Sequence, residues 1–378
     1  MVKIMISAGE ASGDIHAAAL TREILKLEPT ARVYGMGGDG LRAAGGEVLF
    51  DIKEHGVMGL VEIIRKLPAL FRLRSDFARL MEERRPDCLV TIDYPGFNMR
   101  LAKVARDKGI PVVAFIAPSA WAWRKGRAKR VAKLVTKVAA IFPFEYDVYK
   151  EAGADTEFMG HPLIDIVKTS LPPDEAKAKA GKKEGRPLVL LLPGSRLQEV
   201  HRLLPTMLEA AKLVRKADPE VDFVMPRAAT IPGSLLAELV GQAGIEVRIV
   251  EGDNYDLMSV ADAALAASGT VTLEAALCGL PSVIVYKTAP LTAFIVKRLL
   301  NISNIGLPNI VVGRRILPEL LQDAATSDNM ALALLDLLRP EKREKVLQDL
   351  KEVRLKLGEP GAVRRVAELT LRVAGVKA

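Results

Sequence analysis

Small-residue loops that follow apolar runs carry the residues best suited to chemistry in this chain. In the first such loop, Gly9 and Gly13 let backbone N–H groups approach an anion or a sugar hydroxyl. Glu10 and Ser12 are its polar members, so the loop is a candidate ligand site. A tight turn whose following helix is capped by Ser12 or Asp14 is an equal alternative, because both are good capping residues.

A single carboxylate, Asp93, follows the apolar run 88–92. The end of a strand fixes the position of a side chain better than a flexible loop does, and a general base must reach the attacking oxygen directly. Asp93 is therefore a candidate base for removing the proton of a sugar hydroxyl. The alternative is that it only caps the helix or turn that follows.

The apolar run 188–192 leads into a loop with the features of a phosphate site. Gly194 and Ser195 permit close approach to the start of a helix, whose N–H groups favour an anion. Arg196 can make two parallel hydrogen bonds to a diphosphate as its negative charge grows. A structural ion pair is the alternative role for Arg196.

A third loop of small residues, Ser268-Gly269-Thr270, again joins an apolar run to a helix. The backbone amides of Gly269 and Thr270 suit a phosphate. Glu274, on the first turns of that helix, suits a ribose diol because a carboxylate can accept both hydroxyl protons. The alternative is an ordinary capped helix start.

Asn309 and His161 are weaker candidates. The short amide of Asn309 stands beside Pro308 and can orient a substrate group, although an Asx turn is the default interpretation. His161 lies near the expected domain junction and can reach substrate. The four histidines share no metal-ligand spacing and the chain has no Asp-x-Asp pair, so we expect no metal site.

Two stretches combine bulky apolar or aromatic residues with cations, as interfacial helices do. Lipid headgroups or a phosphorylated lipid are their natural partners, and a solvated basic helix is the alternative. Two tryptophans are too few for a stacking platform, so we expect no nucleic acid. The membrane- or acceptor-facing candidates are Val57, Met58, Leu60, Ile63, Arg65, Lys66, Trp121, Trp123, Arg124 and Lys125.

Apolar runs alternate with helix-length segments along the chain, which predicts parallel sheets with crossover helices. The polar, Lys- and Ala-rich stretch 168–187 separates two such series and is the predicted linker. The predicted strands are 4–7, 33–36, 88–92, 112–116 and 138–142, followed by 188–192, 221–225, 247–250, 263–267 and 282–285.

These elements predict an α/β fold of two Rossmann-like, doubly wound domains that face a central cleft. The domains are expected at 1–170 and 186–340. Parallel sheets of this class bind nucleotides and sugars beyond the carboxyl ends of their strands, where the candidate loops lie. The helices of 341–378 are expected to pack back on the first domain, by analogy with similar two-domain transferases.

Composition favours a polyanionic partner and a reducing compartment. The formal charge of +8 and pI near 9.3 leave nucleic acid, an anionic membrane or a phosphorylated substrate as candidates. We find no apolar run long enough to cross a bilayer, and the first eight residues give no signal-peptide core. Cys88 and Cys278 lie far apart, so neither a disulfide scaffold nor a zinc cluster is expected.

Taken in order, seven motifs resemble those of the lipid-A-disaccharide synthase family, and they span nearly the whole chain. The combination of an acidic-serine loop, a tryptophan segment and a Leu-Pro-Asn loop is what makes the resemblance specific. The segments are residues 7–14, 92–95, 118–123, 160–161, 192–196, 268–270 and 307–309.

The resemblance implies a glycosyltransferase-B-type fold and an inverting transfer without a cofactor. In that family UDP-2,3-diacylglucosamine is joined to 2,3-diacylglucosamine 1-phosphate, which gives a β-1′,6-linked lipid A disaccharide 1-phosphate and UDP. Another UDP-N-acetylglucosamine-using enzyme of the same fold, an epimerase or a soluble-acceptor transferase, is the alternative. Such an enzyme would not need the apolar and basic stretches.

The resemblance also implies roles for the candidate residues. Asp93 matches the general base, Arg196 the diphosphate contact and Asn309 an essential polar group. Glu10 and Ser12 match the site of the first, acceptor-facing domain. The expected location is cytoplasmic, peripheral on the inner face of the inner membrane. Whether the protein forms a homodimer is left open by the sequence. The residues expected to bind substrate or UDP are Gly9, Gly13, Gly194, Ser195, Ser268, Gly269, Thr270 and Glu274.

Overall fold

The computed structural model of the protein describes residues 1–55, 60–118, 126–252, 254–288 and 304–376, apart from the side chains of Ala11 and of residues 54–67. The chain forms two compact units. The first contains Met1–Asp165 and Leu357–Ala378, and the second contains Ile166–Lys356.

The first unit is built on a seven-stranded parallel sheet with the strand order β3-β2-β1-β4-β5-β6-β7. Its strands are β1 (Lys3–Ala8), β2 (Arg32–Gly37), β3 (Glu47–Asp51), β4 (Cys88–Ile92), β5 (Val112–Phe115), β6 (Lys137–Ala140) and β7 (Thr156–Phe158). Its helices are α1 (Ala11–Leu27), α2 (Asp39–Ala43), α3 (Ile52–His55), α4 (Leu60–Arg84), α5 (Pro95–Asp107), α6 (Gly126–Ala132) and α7 (Pro143–Glu151), with α8 (Leu163–Ile166) at the boundary.

The second unit is built on a six-stranded parallel sheet with the order β10-β9-β8-β11-β12-β13. Its strands are β8 (Leu188–Leu192), β9 (Asp222–Arg227), β10 (Arg248–Glu251), β11 (Ala263–Ala267), β12 (Ser282–Tyr286) and β13 (Glu319–Leu321). Its helices are α9 (Pro173–Ala180), α10 (Leu197–Ala217), α11 (Gly233–Ala243), α12 (Asn254–Val260), α13 (Thr270–Leu277), α14 (Leu307–Val312), α15 (Ser327–Leu338) and α16 (Pro340–Lys356), with a 3₁₀ turn at Gln322–Ala324.

The central strands are mostly apolar because helices cover both faces of each sheet. Every residue of β4, β8 and β11 is buried. In both units the chain moves outward from a central strand and then returns to that strand's other side, which is the doubly wound arrangement that the sequence predicted. Each sheet therefore has one switch point, between β1 and β4 and between β8 and β11.

The last helix, α17 (Ala362–Val373), belongs to the first unit and packs against α1. Arg365 holds it there by donating to the Met159 carbonyl at 2.7 and 2.9 Å. Helix α16 belongs to the second unit, so the chain returns to the first unit near residue 357. The segment 341–378, predicted to pack on the first domain, is thus divided, and residues 357–378 belong to the first unit.

The stretch 168–187, the predicted linker, contains a helix and belongs to the second unit. Residues 173–180 form α9, and Ala176 and Ala180 are buried in the core of the second unit. Asp256 fixes the start of the stretch by accepting hydrogen bonds from the Ser170 amide at 2.7 Å and the Ser170 hydroxyl at 2.6 Å. Two alanines among lysines give too weak an apolar pattern to be seen in the sequence.

Candidate active site

The switch point of the first sheet brings two of the predicted loops together. Ala8 of β1 pairs with Ile92 of β4, so the residues that follow both strands emerge side by side. Glu10 and Asp93, far apart in sequence, therefore start from neighbouring positions at the carboxyl edge of one sheet. Ligands of doubly wound sheets bind at this position.

The backbone around Asp93 has an unusual conformation. Asp93 and Tyr94 both have φ of +48°, and Ile116, at the end of the adjacent β5, has φ of +55°. These residues occupy the left-handed region, which non-glycine residues adopt at a cost of about 1–3 kcal/mol each. The Asp93 amide donates to the Ile116 carbonyl at 3.2 Å, so the two strained turns hold each other.

The environment of Asp93 favours a proton acceptor stronger than an ordinary aspartate. The side chain is half-buried. Burial raises the pKa of its carboxyl group, and a hydrogen bond from the Tyr94 N–H offsets part of that rise. Helix α5 begins with Tyr94 as its N-cap and Pro95 in its first turn, without a side-chain cap. Tyr94, and not Asp93, is therefore the N-cap residue of α5.

Asn98, which the sequence analysis did not single out, holds the Asp93 turn to the neighbouring strand. Its side chain is fully buried. Its Oδ1 accepts from the Ser7 hydroxyl at 2.6 Å, while its Nδ2 donates to the carbonyls of Asp93 at 2.6 Å and of Ser7 at 3.1 Å. A further bond to the Ile92 carbonyl is 3.2 Å long. Asn98 thus joins both strand ends at the switch point.

Replacing Asn98 with alanine is expected to lower the free energy of unfolding by about 1–3 kcal/mol, because buried partners lose their hydrogen bonds. It is also expected to lower kcat about tenfold, since the Asp93 turn loses an anchor. Leu101→Ala is the control, because Leu101 is buried on the same helix and its truncation destabilises the fold by cavity formation. Equal loss of kcat in both variants below their unfolding temperatures would contradict a positioning role for Asn98.

Gly9 is required by packing as well as by its place in the loop. A methyl group at this position would overlap the ring of Tyr94. Burial raises the pKa of the Tyr94 hydroxyl, and the nearby Glu10 carboxylate adds to the rise. The Tyr94 hydroxyl is buried without a hydrogen-bond partner among the described residues. Glu10, Tyr94 and the Asp93 turn therefore form one cluster.

The other residues of this loop divide between exposed and structural positions. Ser12 is exposed and Gly13 is buried. The Asp14 carboxylate accepts the backbone N–H groups of Gly38, Gly40 and Leu41 at 2.6, 2.8 and 3.1 Å. Asp14 thus binds the N-terminus of α2, whereas Ser12 remains available at the surface.

The switch point of the second sheet brings together the other two predicted loops. Leu192 of β8 pairs with Ala266 of β11, so residues 193–196 and 268–270 start from neighbouring strand ends. Gly269 and Thr270 are exposed, and Ser268 is tied to the next strand by its amide, which donates to the Val285 carbonyl at 2.9 Å. Two helix starts and their small residues therefore share this edge.

Gly194 and Arg196 shape the first of these loops. Gly194 has φ of +109°, and a methyl group there would overlap Glu199. Arg196 is the N-cap of α10, and its Nη1 lies 2.8 Å from the Glu199 Oε1 with the arginine side chain 60% exposed. The structural ion pair considered from the sequence is thus present. An exposed pair of this kind contributes little stability, so a diphosphate can replace the Glu199 carboxylate.

Glu274 lies half-buried on α13, and burial raises the pKa of its carboxyl group. Burial raises the pKa of the Tyr255 hydroxyl to about 12, and the nearby Glu274 carboxylate contributes to the rise. The helix start at Gly269 has no side-chain cap, so a simple capping role for Ser268 is not observed. Glu274 and Tyr255 together border the site.

A cavity of about 580 Å³ lies at the ends of β9 and β10 and was not anticipated from the sequence. Arg227, Glu251 and Tyr255 line it, together with the backbone around Ala228 and Gly252. Arg227 and Glu251 are ion-paired across the two strands at 2.9 Å. They are the last residues of β9 and β10 in the structure, but both lie beyond the ends of the strands predicted from the sequence, 221–225 and 247–250.

Asn309 is fully buried, and its side chain uses its whole hydrogen-bonding capacity. Its Oδ1 accepts the amides of Ile316 and Leu317 at 2.8 and 2.9 Å. Its Nδ2 donates to the Leu317 carbonyl at 2.9 Å and to the Glu319 carboxylate at 2.7 Å. These partners lie well beyond an Asx turn. The contacts favour a positioning role for Asn309 over direct contact with a substrate group, and the essential role that the resemblance implied stays a prediction.

His161 is buried, and its Nδ1 accepts the Leu163 amide at 3.2 Å. Burial, with a smaller contribution from His16, lowers its pKa to about 3. It is therefore a neutral side chain in the core of the first unit. Contact with substrate, which the sequence analysis left open for His161, is not favoured by this position.

Part of the predicted surface lies outside the described residues. Val57, Met58, Trp121, Trp123, Arg124 and Lys125 are among the residues that the structure does not describe, and the side chains of Leu60, Ile63, Arg65 and Lys66 are likewise outside the description. Within the described ranges, no group of three or more His, Cys, Asp or Glu side chains has metal-site geometry. No helix there combines the length and apolarity needed to cross a membrane.

Comparison with known families gives a match over nearly the whole chain. A family model described as lipid-A-disaccharide synthetase matches residues 4–373. A lipid-A-disaccharide synthase of Geobacter metallireducens is 44% identical over 376 residues, covering 99% of this chain and 98% of that protein. One from Geobacter sulfurreducens is 43% identical over 374 residues, covering 99% and 97%.

Solved structures share the fold at low identity. A UDP-GlcNAc 2-epimerase from Neisseria meningitidis, bound to UDP-GlcNAc, aligns with a TM-score of 0.69 at 15% identity, covering 98% of this chain and all of the other. Acinetobacter baumannii MurG aligns with a TM-score of 0.60, also at 15% identity, over 98% and 100% of the two chains. Identities this low establish the two-sheet architecture alone.

Proposed function

This chain belongs to the lipid-A-disaccharide synthetase family, and we propose that its two switch-point sites carry out the family's glycosyl transfer. The donor is UDP-2,3-diacylglucosamine and the acceptor is 2,3-diacylglucosamine 1-phosphate. The products are the β-1′,6-linked disaccharide 1-phosphate of lipid A biosynthesis and UDP. The observation that carries the assignment is the family match over residues 4–373, which includes every candidate loop.

In the first unit, Asp93 is the general base. Its strained turn is held by Asn98 and by the Ile116 carbonyl, which fixes the carboxylate before substrate binds. Burial has already removed part of its hydration, so the carboxylate accepts a proton more readily than a solvated aspartate does. Glu10 and Ser12 contribute hydrogen bonds to the acceptor sugar from the neighbouring strand end.

In the second unit, the loops at 193–196 and 268–270 bind the diphosphate of UDP. Helix starts present free N–H groups and a positive dipole end to an anion. Arg196 adds a full charge, and it can exchange the Glu199 carboxylate for a phosphate oxygen. Glu274 accepts the ribose hydroxyls, and the cavity beside Tyr255 receives the nucleoside.

The reaction proposed is a direct displacement with inversion at the anomeric carbon. The C6 hydroxyl of the acceptor attacks while Asp93 takes its proton, and the bond to UDP breaks. Negative charge that develops on the leaving diphosphate is stabilised by Arg196 and the start of α10. Such preorganised groups commonly supply the largest single part of catalysis.

The acid limb of the pH–rate profile is expected to report on Asp93. Only the ionised carboxylate accepts a proton, so kcat/KM falls as the pH drops through the pKa of Asp93. Burial raises that pKa, and the midpoint is therefore expected above that of a solvated aspartate. The measurement is kcat/KM for the acceptor across the pH range in which the protein stays folded. If the residual activity of Asp93→Asn shows the same acid limb as the wild type, a group other than Asp93 causes the fall in kcat/KM.

Location and assembly extend the proposal. The substrates are lipids and the chain carries a formal charge of +8, which favours an anionic membrane surface as partner. We place the protein in the cytoplasm, peripheral on the inner face of the inner membrane, where the stretches 57–66 and 121–125 meet lipid. A homodimer is an additional proposal, for which analytical ultracentrifugation in detergent is the test.

The assay for the proposed function is acceptor-dependent release of UDP. Purified protein is incubated with UDP-diacylglucosamine alone, with diacylglucosamine 1-phosphate alone and with both, in detergent micelles. We expect one UDP per disaccharide formed and release only when both lipids are present. Release of UDP at the same rate without acceptor would contradict the assignment.

A further inference from the structure

A second cavity, of about 740 Å³, lies in the first unit among α4, α5 and α6. Pro95 and Gly96, in the first turn of α5, form part of its lining, and they follow directly on the Asp93 turn. Pro118, beyond the end of β5, lines it as well. This cavity, which we call the basic pocket, therefore opens beside the general base and is distinct from the loops assigned above.

The charged side chains that line the basic pocket are mostly cationic. Its cationic lining residues are Arg74, Arg100, Lys103, Arg127 and Arg130, and its single acidic one is Asp107. The Asp107 carboxylate already lies 3.5 Å from the Arg106 guanidinium. Within the part of the chain that the structure describes, no carboxylate lies within 4.0 Å of the side-chain nitrogens of Arg100, Lys103 or Arg130. These three cations, which no carboxylate of the described residues neutralises, favour the binding of a multiply charged anion.

The remaining lining is apolar. Met99, Val131 and Leu134 line the same cavity, and Val131 is buried in the core. A pocket for a free, fully hydrated anion does not require such surface. Apolar walls beside clustered arginines instead suit an amphiphile whose charged group is attached to a lipid.

We propose that the basic pocket binds the phosphate monoester of the lipid acceptor. This inference rests on the proposed function and extends it to the group that selects the acceptor. A phosphate monoester carries close to two negative charges at neutral pH, and arginine forks can bind it through paired hydrogen bonds. In the acceptor, C1 with its phosphate and C5 with the C6 hydroxymethyl group are both bonded to the ring oxygen, so the phosphate and the C6 hydroxyl lie at the same end of the sugar ring. Anchoring the phosphate beside α5 therefore presents the hydroxyl to the Asp93 turn.

The test compares phosphorylated and unphosphorylated acceptors. Arg100 and Lys103 are both exposed on α5, so the double variant Arg100→Gln/Lys103→Gln removes two charges without disturbing the core. Lys129→Gln/Lys133→Gln is the matched control, because these lysines are exposed on or next to α6 but do not line the pocket. Each protein is assayed in micelles with diacylglucosamine 1-phosphate and with diacylglucosamine that lacks the phosphate.

We expect kcat/KM for the phosphorylated acceptor to fall about 10- to 100-fold in the pocket variant, since two charge-assisted contacts are lost. Its kcat/KM for the unphosphorylated acceptor and its KM for the donor are expected to stay at the wild-type values. The control variant is expected to match the wild type with both acceptors. Equal losses with both acceptors, or the same loss in the control, would overturn the proposal.

Two further measurements identify the source of the phosphate. Binding to phosphatidylglycerol vesicles is measured without substrate, and loss of vesicle binding with an unchanged acceptor preference would assign the pocket to bulk lipid instead. Binding of diacylglucosamine 1-phosphate in micelles is measured by calorimetry, independently of turnover. Binding that depends on Arg100 and Lys103 without disaccharide formation would support the pocket and refute the proposed function. Turnover by the pocket variant with an unaltered acceptor preference would support the proposed function and refute the pocket.

Discussion

Asp93→Asn is expected to lower kcat by about 10²- to 10⁴-fold, the usual contribution of a positioned general base. Asparagine has nearly the same shape as aspartate and keeps the hydrogen bond from the Tyr94 N–H, so the turn is preserved. It cannot accept the proton of the attacking hydroxyl. The measurement is kcat at saturating donor and acceptor, together with the dissociation constant for UDP, which is expected to stay within about twofold of wild type because the proposed UDP contacts lie in the second unit.

The stability of the same variant gives an independent control. Burial raises the folded-state pKa of Asp93, so the ionised carboxylate opposes folding at pH values above that pKa. Removing the charge is therefore expected to leave the free energy of unfolding at neutral pH equal to or higher than that of the wild type. A variant that is stable, binds UDP and retains wild-type kcat would remove Asp93 from the mechanism.

Arg196→Ala is expected to lower kcat by about 10²- to 10³-fold, the typical cost of removing one group that stabilises developing negative charge. Arg196 caps α10 at the end of β8 and has only an exposed pair with Glu199, so its loss should cost little stability. The KM for the acceptor is expected to remain unchanged, because the proposed acceptor site lies in the first unit. Steady-state kinetics with each substrate varied separately provides the test.

Arg202→Ala is the matched control for that variant. Arg202 is exposed on the same helix, so its replacement removes an equal charge away from the strand end. We expect it to leave kcat within about twofold of wild type, as surface charge changes away from a site do. A comparable loss in both variants would mean that the charge of the helix surface matters and that Arg196 has no specific contact with the diphosphate.

The central strands could be predicted from the sequence because burial on both faces leaves an unbroken apolar run. The strands 88–92, 188–192 and 263–267 have the predicted bounds. The strands missed are β3, β7 and β13, which are edge strands of their sheets. Most of their residues are only partly buried, so their apolar patterns are short and mixed.

The loops at the strand ends could also be predicted, because small residues between an apolar run and a helix-length segment indicate a tight turn from a strand into a helix. The networks that position them could not. Asn98 bonds to Ser7, which lies 91 residues earlier, and Asn309 depends on Glu319 across a loop. Such contacts arise only when the sheet has set its strand order, and an asparagine near a proline resembles an ordinary turn until its partners are known.

The product formed from both lipid substrates tests the central claim most directly. Purified protein is given UDP-2,3-diacylglucosamine and 2,3-diacylglucosamine 1-phosphate, and the lipid product is analysed by mass spectrometry and by NMR of its anomeric proton. We predict a disaccharide 1-phosphate with a β-1′,6 linkage, formed in equal amount with UDP. Recovery of the donor as its C2 epimer, or of UDP with free sugar and no disaccharide, would contradict the account.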